Sequence, residues 1–541
     1  MKDTRKFHHI LFLIIFALLL RAPGIPWGLI NYDSFEPDEG QHVGVASEVI
    51  SKFDNNYIND DGTYRNWNAR GFGTQLAVFS YPILKILSMK PYFLYGFARL
   101  LTLVYSILLI LLIYVISLNI YNDMNIALLS ALLLSIMDLN ITYSHYGVPD
   151  IPHVFWAYFA IFLIFLYSEN QKQAVAGDES EQKKHISYEL LEIGVALSAA
   201  MGLSFRFDIL PTIILIGSLV WLFLSKKITS KRFAYLVVKM IVLICGFFYI
   251  SVAFDYNLAD IIASKNTLFS QNANVVLKDT HYLHNPILYF FAILGGSSFF
   301  IVTLFCFSAI YFLKAIDKER VKFFHTFMIL FLFFSFVILW IGDCTFVRRA
   351  NIFLPYVAMM CGWGLVRFYE YQRFLGNKLL KKGLIGVVIL YTLSLSIVSQ
   401  AHFVVDPRYA TSEYLNEHST GADVIIYSPY AKVKSMPAGF GLEEFGKDVS
   451  VIVLHEAYYG RYWKYFTTPF KIPRCCDEVY HCDFDDCKLI QGLLSNDLDF
   501  RLIKSFRVWS FFPERILFEH LFGSYETFLG NVLVYRRVGR G

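Results

Sequence analysis

Long apolar runs dominate the first 401 residues and constrain what this chain can fold into. They lie near 8–22, 97–118, 126–144, 151–167, 188–205, 209–224, 233–253, 286–313, 323–341, 351–366 and 384–401. An α-helix needs about 20 apolar residues to cross a bilayer, where helices satisfy all of their backbone hydrogen bonds internally. Only 17% of the 541 residues are charged and 56% are hydrophobic, which leaves too little polar surface for a water-soluble protein. The sequence predicts an α-helical polytopic membrane protein with about eleven spans.

Positively charged connectors predict the orientation of these spans. Lys and Arg cluster at 226–232, 314–322 and 367–382, and short loops of this kind stay in the cytoplasm. All three fall on the side of the N-terminus only if the ambiguous run 74–90 does not cross the membrane. We therefore predict an interfacial helix at 74–90, and an outer face that receives loop 23–96 and everything after residue 401.

The composition changes after residue 401. A helix-like segment at Ala410–His418 is followed by strand-like segments at Asp423–Tyr427, Ser450–Leu454 and Asn531–Arg536. We predict a transmembrane domain at 1–401 and a small extracytoplasmic soluble domain of α/β or α+β class at 402–541.

Four cysteines of the predicted outer domain are closely spaced in the sequence. They are Cys475, Cys476, Cys482 and Cys487. Outside the cytoplasm such spacing favours disulfides, with a zinc site or free thiols as the alternatives. The pairing stays open.

An acidic segment directly after the first span is the first candidate for catalysis. It reads Glu36-Pro37-Asp38-Glu39-Gly40-Gln41-His42, and a helix-like stretch follows from Val43. A helix N-terminus stabilises a carboxylate, so simple N-capping is one interpretation of Asp38. Capping needs only one acid, however, and three acids with a Gln and a His favour a functional site.

Two further polar turns are predicted to share the outer face with Asp38. Asp150 joins two spans at a depth where an ionisable side chain is costly unless it is paired or functional. The alternative is an ordinary turn residue at the water interface. Arg206 lies between Phe205 and Phe207 at the outer boundary, where it can bind an anion in a bidentate way or form a structural pair with Asp208 or a lipid headgroup.

Other outward groups can bind phosphate or sugar by charge or hydrogen bonding. Arg70 lies beside glycines that let the backbone approach a ligand, and Arg349 follows Arg348, with headgroup anchoring as the alternative. His281 and His284 favour neutral hydrogen bonding, with a metal pair as the alternative.

Acids and cations separated on one face suit group transfer from a lipid-anchored phosphate ester, because a carboxylate deprotonates the acceptor and cations stabilise the departing phosphate. A divalent metal is compatible with this chemistry but is not required for it.

The order of these motifs over residues 10–360 resembles the GT-C membrane glycosyltransferases. The chain is most similar to the dolichyl-phosphate-mannose–protein mannosyltransferase family and its bacterial relatives, including the lipid A aminoarabinose transferase. The resemblance rests on Pro37–Glu39, Arg70–Thr74, Arg99–Tyr105, Tyr143–Asp150, Gly202–Arg206, His281–Pro286 and Arg349–Pro355.

The resemblance implies roles for particular residues. Asp38 would be the base, Glu39 and Asp150 would orient the base or the acceptor, and the phosphate or sugar ligands would be Arg70, Arg206, His281, His284 and Arg349. The chain departs from the family pattern at Glu36 (commonly His), Arg206 (commonly Lys) and Ala350 (commonly Tyr), which leaves the donor sugar open.

The expected function is inverting sugar transfer from a polyprenyl (undecaprenyl or dolichyl) phosphate to a hydroxyl of a lipid, glycan or protein. The alternative is a transporter or flippase of lipid-linked sugars, for which mid-span charges and repeated halves are typical. Membrane lipids are expected partners and nucleic acid is not. The predicted outer domain contains no Asn-X-Thr, which favours a prokaryotic plasma membrane over the endoplasmic reticulum.

Overall fold

The computed structural model describes most of the chain, with gaps. The described residues are 2–29, 37–51, 70–87, 93–176, 188–205, 229–252, 285–315, 319–341, 347–370, 377–446, 448–459, 484–522 and 529–538. All structural statements below refer to these residues. The predicted span at 209–224 and the closely spaced Cys475, Cys476 and Cys482 lie outside them.

The chain is predominantly helical within the described ranges. The helices up to residue 404 are α1 (Lys2–Arg21), α2 (Pro37–Ser51), α3 (Arg70–Ile86), α4 (Phe93–Tyr121), α5 (Met124–Ile136), α6 (Asp138–Ser144), α7 (Asp150–Ala176), α8 (Tyr188–Phe205), α9 (Ser230–Val252), α10 (Asn285–Ser297), α11 (Phe299–Ala315), α12 (Glu319–Ile341), α13 (Leu354–Glu370) and α14 (Lys378–Val404). Short 3-10 helices occupy Ala22–Gly24 and Val347–Ile352.

Several helices are long and apolar enough to cross a membrane. Among the described residues four qualify singly, at Thr4–Gly24, Phe93–Tyr121, Asp150–Glu169 and Lys378–His418, and two bent pairs raise the number to six. The chain is therefore an integral membrane protein, while the total of eleven spans stays a prediction. The 17-residue α3 is not among the helices of spanning length.

Two of the apolar runs are broken rather than continuous helices. The run 126–144 bends by 62° at Met137, between α5 and α6, and the run 286–313 bends by 112° at Ser298, between α10 and α11. Ser298 has a φ of 133°, and its hydroxyl accepts a hydrogen bond from the backbone N–H of Ile301. Apolar periodicity carries no information about such a break, so the two runs read as single spans in the sequence.

A fully buried arginine holds the N-terminal helices together. Arg21, the last residue of α1, donates to Ser106 Oγ of α4 at 2.9 Å, to the Ser135 carbonyl of α5 at 3.1 Å and to Asn140 Oδ1 of α6 at 2.8 Å. A buried guanidinium is stable only when its donors are satisfied, and here three helices supply the acceptors. Arg21 thereby fixes the end of α1 against α4, α5 and α6.

The C-terminal region contains a mixed five-stranded sheet. Its helices are α15 (Pro407–His418), α16 (Glu456–Tyr459), α17 (Phe484–Ser495) and α18 (Pro513–Phe522), and its strands are β1 (Ile425–Tyr427), β2 (Phe440–Gly441), β3 (Val451–His455), β4 (Phe500–Phe506) and β5 (Val532–Arg537). The strand order is β2-β1-β3-β5-β4, parallel among the first three and antiparallel thereafter.

The sheet confirms the elements predicted from the sequence after residue 401. The predicted helix at Ala410–His418 begins three residues earlier, at Pro407, because the Asp406 side chain caps it by accepting from the Arg408 backbone N–H. The strands predicted at Asp423–Tyr427, Ser450–Leu454 and Asn531–Arg536 correspond to β1, β3 and β5. The all-buried β3 forms the centre of the sheet.

Candidate active site

Two aspartates stand in the first turns of two helices. Asp38 follows Pro37 at the start of α2, and Asp150 is the first residue of α7. The backbone N–H groups of a helix N-terminus carry a partial positive charge that attracts acidic side chains. Their surroundings differ, because the Asp38 side chain is 34% exposed and that of Asp150 is only 3% exposed.

One guanidinium lies between these carboxylates. Arg348 donates from Nη1 to Asp38 Oδ2 at 2.8 Å, and its Nε lies 4.0 Å from Asp150 Oδ1. Arg348 belongs to the 3-10 helix Val347–Ile352, which Tyr158 of α7 fixes by donating its hydroxyl to the Ile352 carbonyl at 2.9 Å. The structure thus brings together three charged side chains that are far apart in sequence, with Asp38 the most accessible of the three.

Glu39, the neighbour of Asp38, is not open to substrate. Both of its carboxylate oxygens accept from Arg99 of α4, each at 2.8 Å, and both side chains are fully buried. The backbone N–H of Gly147 also donates to Glu39, at 2.7 Å. A Cβ at residue 147 would lie 2.6 Å from the Ala98 Cβ, so only glycine lets this turn approach α4 closely enough.

Arg99 extends this contact to the C-terminal region. It donates to the carbonyls of Ile25 and Trp27, and the Trp27 indole N–H in turn donates to Asp406 Oδ2 at 2.9 Å. Asp406 also pairs with Arg408, at 2.7 Å, and both of those side chains are 1% exposed. Glu39, Arg99, Trp27, Asp406 and Arg408, which we call the buttress, therefore form a continuous buried set that connects the acidic turn of α2 with α15.

The histidine next to the far end of the buttress is held neutral. His455 of β3 is fully buried, and its Nδ1 accepts from the Ala457 backbone N–H at 3.1 Å. Burial, assisted by the Arg408 guanidinium and opposed by Asp406, lowers the pKa of His455 to about 3. This imidazole is a structural acceptor at neutral pH rather than a proton donor.

The remaining residues predicted from the sequence are placed only in part. Arg349 is half-buried beside Arg348, and the backbone of Arg70 begins α3. Arg206, His281 and His284 lie outside the described residues. Within the described ranges no group of three or more His, Cys, Asp or Glu side chains is arranged to hold a metal ion.

Sequence reasoning missed the contacts of Arg348 and of Arg99. Arg348 was noted only as the neighbour of Arg349, and a 3-10 helix turns successive side chains in different directions, so adjacency did not identify which of them meets Asp38. The position of Arg99 was a usable signal, because a charged residue inside an apolar run is costly unless it is paired. The sequence did not identify its partner, since Glu39 lies 60 residues away in the chain.

Comparisons with known proteins relate this chain to one protein family and to one known fold. Residues 79–261 match the family model described as dolichyl-phosphate-mannose-protein mannosyltransferase. The crystal structure of ArnT from Cupriavidus metallidurans bound to undecaprenyl phosphate has a similar fold, with a TM-score of 0.51 at 11% identity over 83% of this chain and 93% of that one. No curated protein sequence matches this chain significantly.

Two other solved structures align less closely. Apo ArnT from the same organism gives a TM-score of 0.48 at 11% identity, over 87% of this chain and 97% of that one. The apo oligosaccharyltransferase from Archaeoglobus fulgidus gives 0.46 at 13% identity, over 84% of this chain and 70% of that one. The family match and the ArnT structure bound to undecaprenyl phosphate confirm the resemblance inferred from the motifs: the chain is similar to the dolichyl-phosphate-mannose-protein mannosyltransferases over residues 79–261, and it has the GT-C fold of ArnT.

Proposed function

We propose that this chain is an inverting glycosyltransferase that moves a sugar from a polyprenyl phosphate to an acceptor hydroxyl at the outer face of the membrane. The observation that carries the proposal is the placement of Arg348 between Asp38 and Asp150. The family match over 79–261 and the GT-C fold support sugar transfer, and the similar ArnT structure is one that binds undecaprenyl phosphate.

Asp38 is the proposed base. Its side chain is the most exposed of the three in the site, so an acceptor hydroxyl can reach it from solvent. The carboxylate takes the hydroxyl proton while the acceptor oxygen forms a bond to the anomeric carbon. The bond between that carbon and the phosphate oxygen breaks, and polyprenyl phosphate leaves with the electron pair. A single displacement without a carboxylate nucleophile inverts the anomeric centre.

Arg348 is the proposed phosphate ligand that also controls the base. A guanidinium binds phosphate oxygens in the same bidentate way in which it binds carboxylates. In the structure its partner is Asp38, at 2.8 Å. When a lipid phosphate takes over this guanidinium, Asp38 loses its cationic partner and becomes a stronger base. The donor thereby activates the base, and Asp150 keeps Arg348 in place during the exchange.

The other predicted ligands complete the proposed donor site. Arg70, Arg206, His281, His284 and Arg349 would contact the phosphate or the sugar from the outer loops, and the mechanism requires no metal. Glu39 does not contact the acceptor directly in this proposal. Its bidentate pair with Arg99 fixes the first turn of α2, so Glu39 positions Asp38.

Binding and product formation can be measured separately. The purified protein in nanodiscs is tested for binding of undecaprenyl phosphate, and glycans and lipids of a deletion strain are compared with the parent by mass spectrometry. We expect saturable binding that Arg348→Ala weakens, together with loss of one glycosylated product from the deletion strain. Movement of a labelled lipid-linked sugar across the bilayer with no covalent product missing would instead identify a transporter and refute the proposal.

A further inference from the structure

The last described helix of the C-terminal region, α18, buries two charged side chains and exposes two apolar ones in its first half, while farther along Phe518 is buried and Glu519 is exposed. In α18 the charged residues Glu514 and Arg515 are only 3% and 7% exposed, whereas the apolar residues Ile516 and Leu517 are 50% and 41% exposed. A helix on a water-soluble domain shows the opposite pattern, with charges outward and apolar side chains inward. The first half of α18 therefore presents an apolar outward face.

The buried charges of α18 reach the two broken spans. Arg515 forms an ion pair with Asp138, the first residue of α6 after the break at Met137. Glu514 accepts from the backbone N–H of Phe299, the first residue of α11 after the break at Ser298, at 3.4 Å, and from the Tyr391 hydroxyl of α14 at 2.9 Å. One helix turn thus supplies a charged partner at both breaks.

These contacts fix the depth of α18. A broken helix exposes backbone and polar groups that are tolerated in a membrane only where protein covers them. Because α18 provides that cover for two spans, it lies at the level of the membrane domain and not above it. Its side that faces away from α6 and α11 consequently meets lipid.

The segment before α18 also exposes large apolar side chains. Trp509 and Phe511 are 66% and 67% exposed and stack on each other, with ring centroids 6.1 Å apart. Trp509 lines the same cleft as His402 of α14, next to which Val404 and Val405 are also largely exposed. Aromatic side chains concentrate at the level of lipid headgroups, and the exposed Arg507 and Glu519 on either side of the segment suit that level.

We infer that Trp509, Phe511, Ile516 and Leu517 form a lipid-binding patch that inserts the C-terminal region into the interface of the outer leaflet. Phospholipid is the occupant, because the patch adjoins spans that are already surrounded by lipid. The region after residue 401 is then a membrane-embedded cap rather than the separate soluble domain expected from its composition. This inference does not depend on the proposed catalytic activity.

Photocrosslinking tests the patch with a matched control. Phe511→p-benzoylphenylalanine and Ile516→p-benzoylphenylalanine are compared with Phe440→p-benzoylphenylalanine in nanodiscs of tritiated phosphatidylglycerol and phosphatidylethanolamine. Phe440 is a fair control, since it belongs to the same region and is 57% exposed, close to the 67% of Phe511. We expect about tenfold more labelled adduct at 511 and 516 than at 440, because only the patch meets acyl chains.

Other outcomes would overturn the inference. Labelling at 511 no stronger than at 440, or labelling at neither, would show that the patch does not contact lipid preferentially and would overturn the inference. Cross-linked dimers from position 511 in place of lipid adducts would identify a second copy of the chain as the occupant. A second measurement guards against misfolded variants: quenching of intrinsic fluorescence by brominated lipid falls in Trp509→Phe if the patch is embedded, and is unchanged if it is not.

Discussion

Arg348 donates a hydrogen bond to Asp38 at 2.8 Å while its Nε lies 4.0 Å from Asp150, so one guanidinium serves both aspartates of the site. The guanidinium is 14% exposed and the Asp38 carboxylate is 34% exposed, which leaves the pair accessible to a ligand. An anionic ligand that reaches this pair competes with Asp38 for the same donors. The proposed coupling between donor binding and base strength follows from this competition.

Removing the guanidinium tests its role in donor binding. Arg348→Ala should lower kcat/KM for transfer by roughly 10²- to 10³-fold, the usual cost of losing one preorganised donor to a developing oxyanion. Arg348→Lys should retain part of the activity, because it keeps the charge but loses the bidentate geometry. Arg367→Ala, which removes an arginine that is 47% exposed and paired with Glu370, is the control and should be neutral. Equal rates in Arg348→Ala and Arg367→Ala would exclude Arg348 from the site.

A double-mutant cycle tests the buried Glu39–Arg99 pair. Glu39→Gln or Arg99→Gln alone should destabilise the protein by about 3–5 kcal/mol, since each leaves a buried charge without its partner. The double variant should recover part of that loss, because both charges are then absent. Thermal unfolding in detergent gives the stabilities of all four proteins. Additive losses in the double variant would show that the two side chains do not interact.

Removal of one indole N–H tests the connection between the acidic turn and α15. Trp27→Phe removes the indole N–H that donates to Asp406 at 2.9 Å and keeps an aromatic ring between the guanidiniums of Arg99 and Arg408. We expect a loss of about 1–3 kcal/mol, the cost of leaving a buried acceptor under-satisfied. Trp509→Phe, at a position 66% exposed, is the matched control for unfolding in detergent. Identical melting temperatures for Trp27→Phe and the wild type would remove this link from the buttress.

The buried, neutral side chain of His455 predicts that the stability of the fold depends on pH. Its folded pKa is lowered to about 3, so below pH ~6.5 the unfolded chain binds a proton at His455 that the folded chain does not. This group therefore destabilises the fold progressively as the pH falls from about 6.5 towards 3, by up to ~1.4 kcal/mol per pH unit.

His455→Asn isolates this contribution, because the Asn oxygen can still accept from the Ala457 N–H. Melting temperatures of wild type and variant are compared at pH 7.5 and at pH 5. The wild type should lose more stability than the variant over this interval. A parallel loss in the two proteins would show that His455 titrates in the same way in the folded and unfolded states.

The sequence predicted the features that depend on local pattern. The apolar runs predicted the apolar helices, Pro37 and the acids after it predicted the start of α2, and short strand-like segments predicted β1, β3 and β5. Each of these is set by neighbours within a few residues. The motif order also led to the GT-C resemblance, which the fold of ArnT and the family match over 79–261 confirm.

The features that escaped prediction depend on contacts between distant residues. The partner of Arg99 lies 60 residues away, that of Arg515 lies 377 residues away, and Arg348 meets Asp38 across 310 residues. No Pro or Gly adjoins the bend at Met137, whereas Gly295 and Gly296 closely precede the bend at Ser298. Arg515 and Glu514 of α18 contact the residues that follow the two bends, and no local pattern reveals those contacts. Glu39 was expected to orient the base or the acceptor, and the sequence did not show that it is buried against Arg99.

The most direct test of the account is the rate of sugar transfer in Asp38→Asn, measured with the donor and product identified from the deletion strain. Asparagine keeps the size of the side chain and removes its basicity. We predict loss of transfer by at least about 10²-fold, with thermal stability and undecaprenyl phosphate binding unchanged or improved, since Arg348 no longer has a carboxylate competing for it. Wild-type transfer by Asp38→Asn would contradict the assignment of Asp38 as the base and, with it, the proposed mechanism.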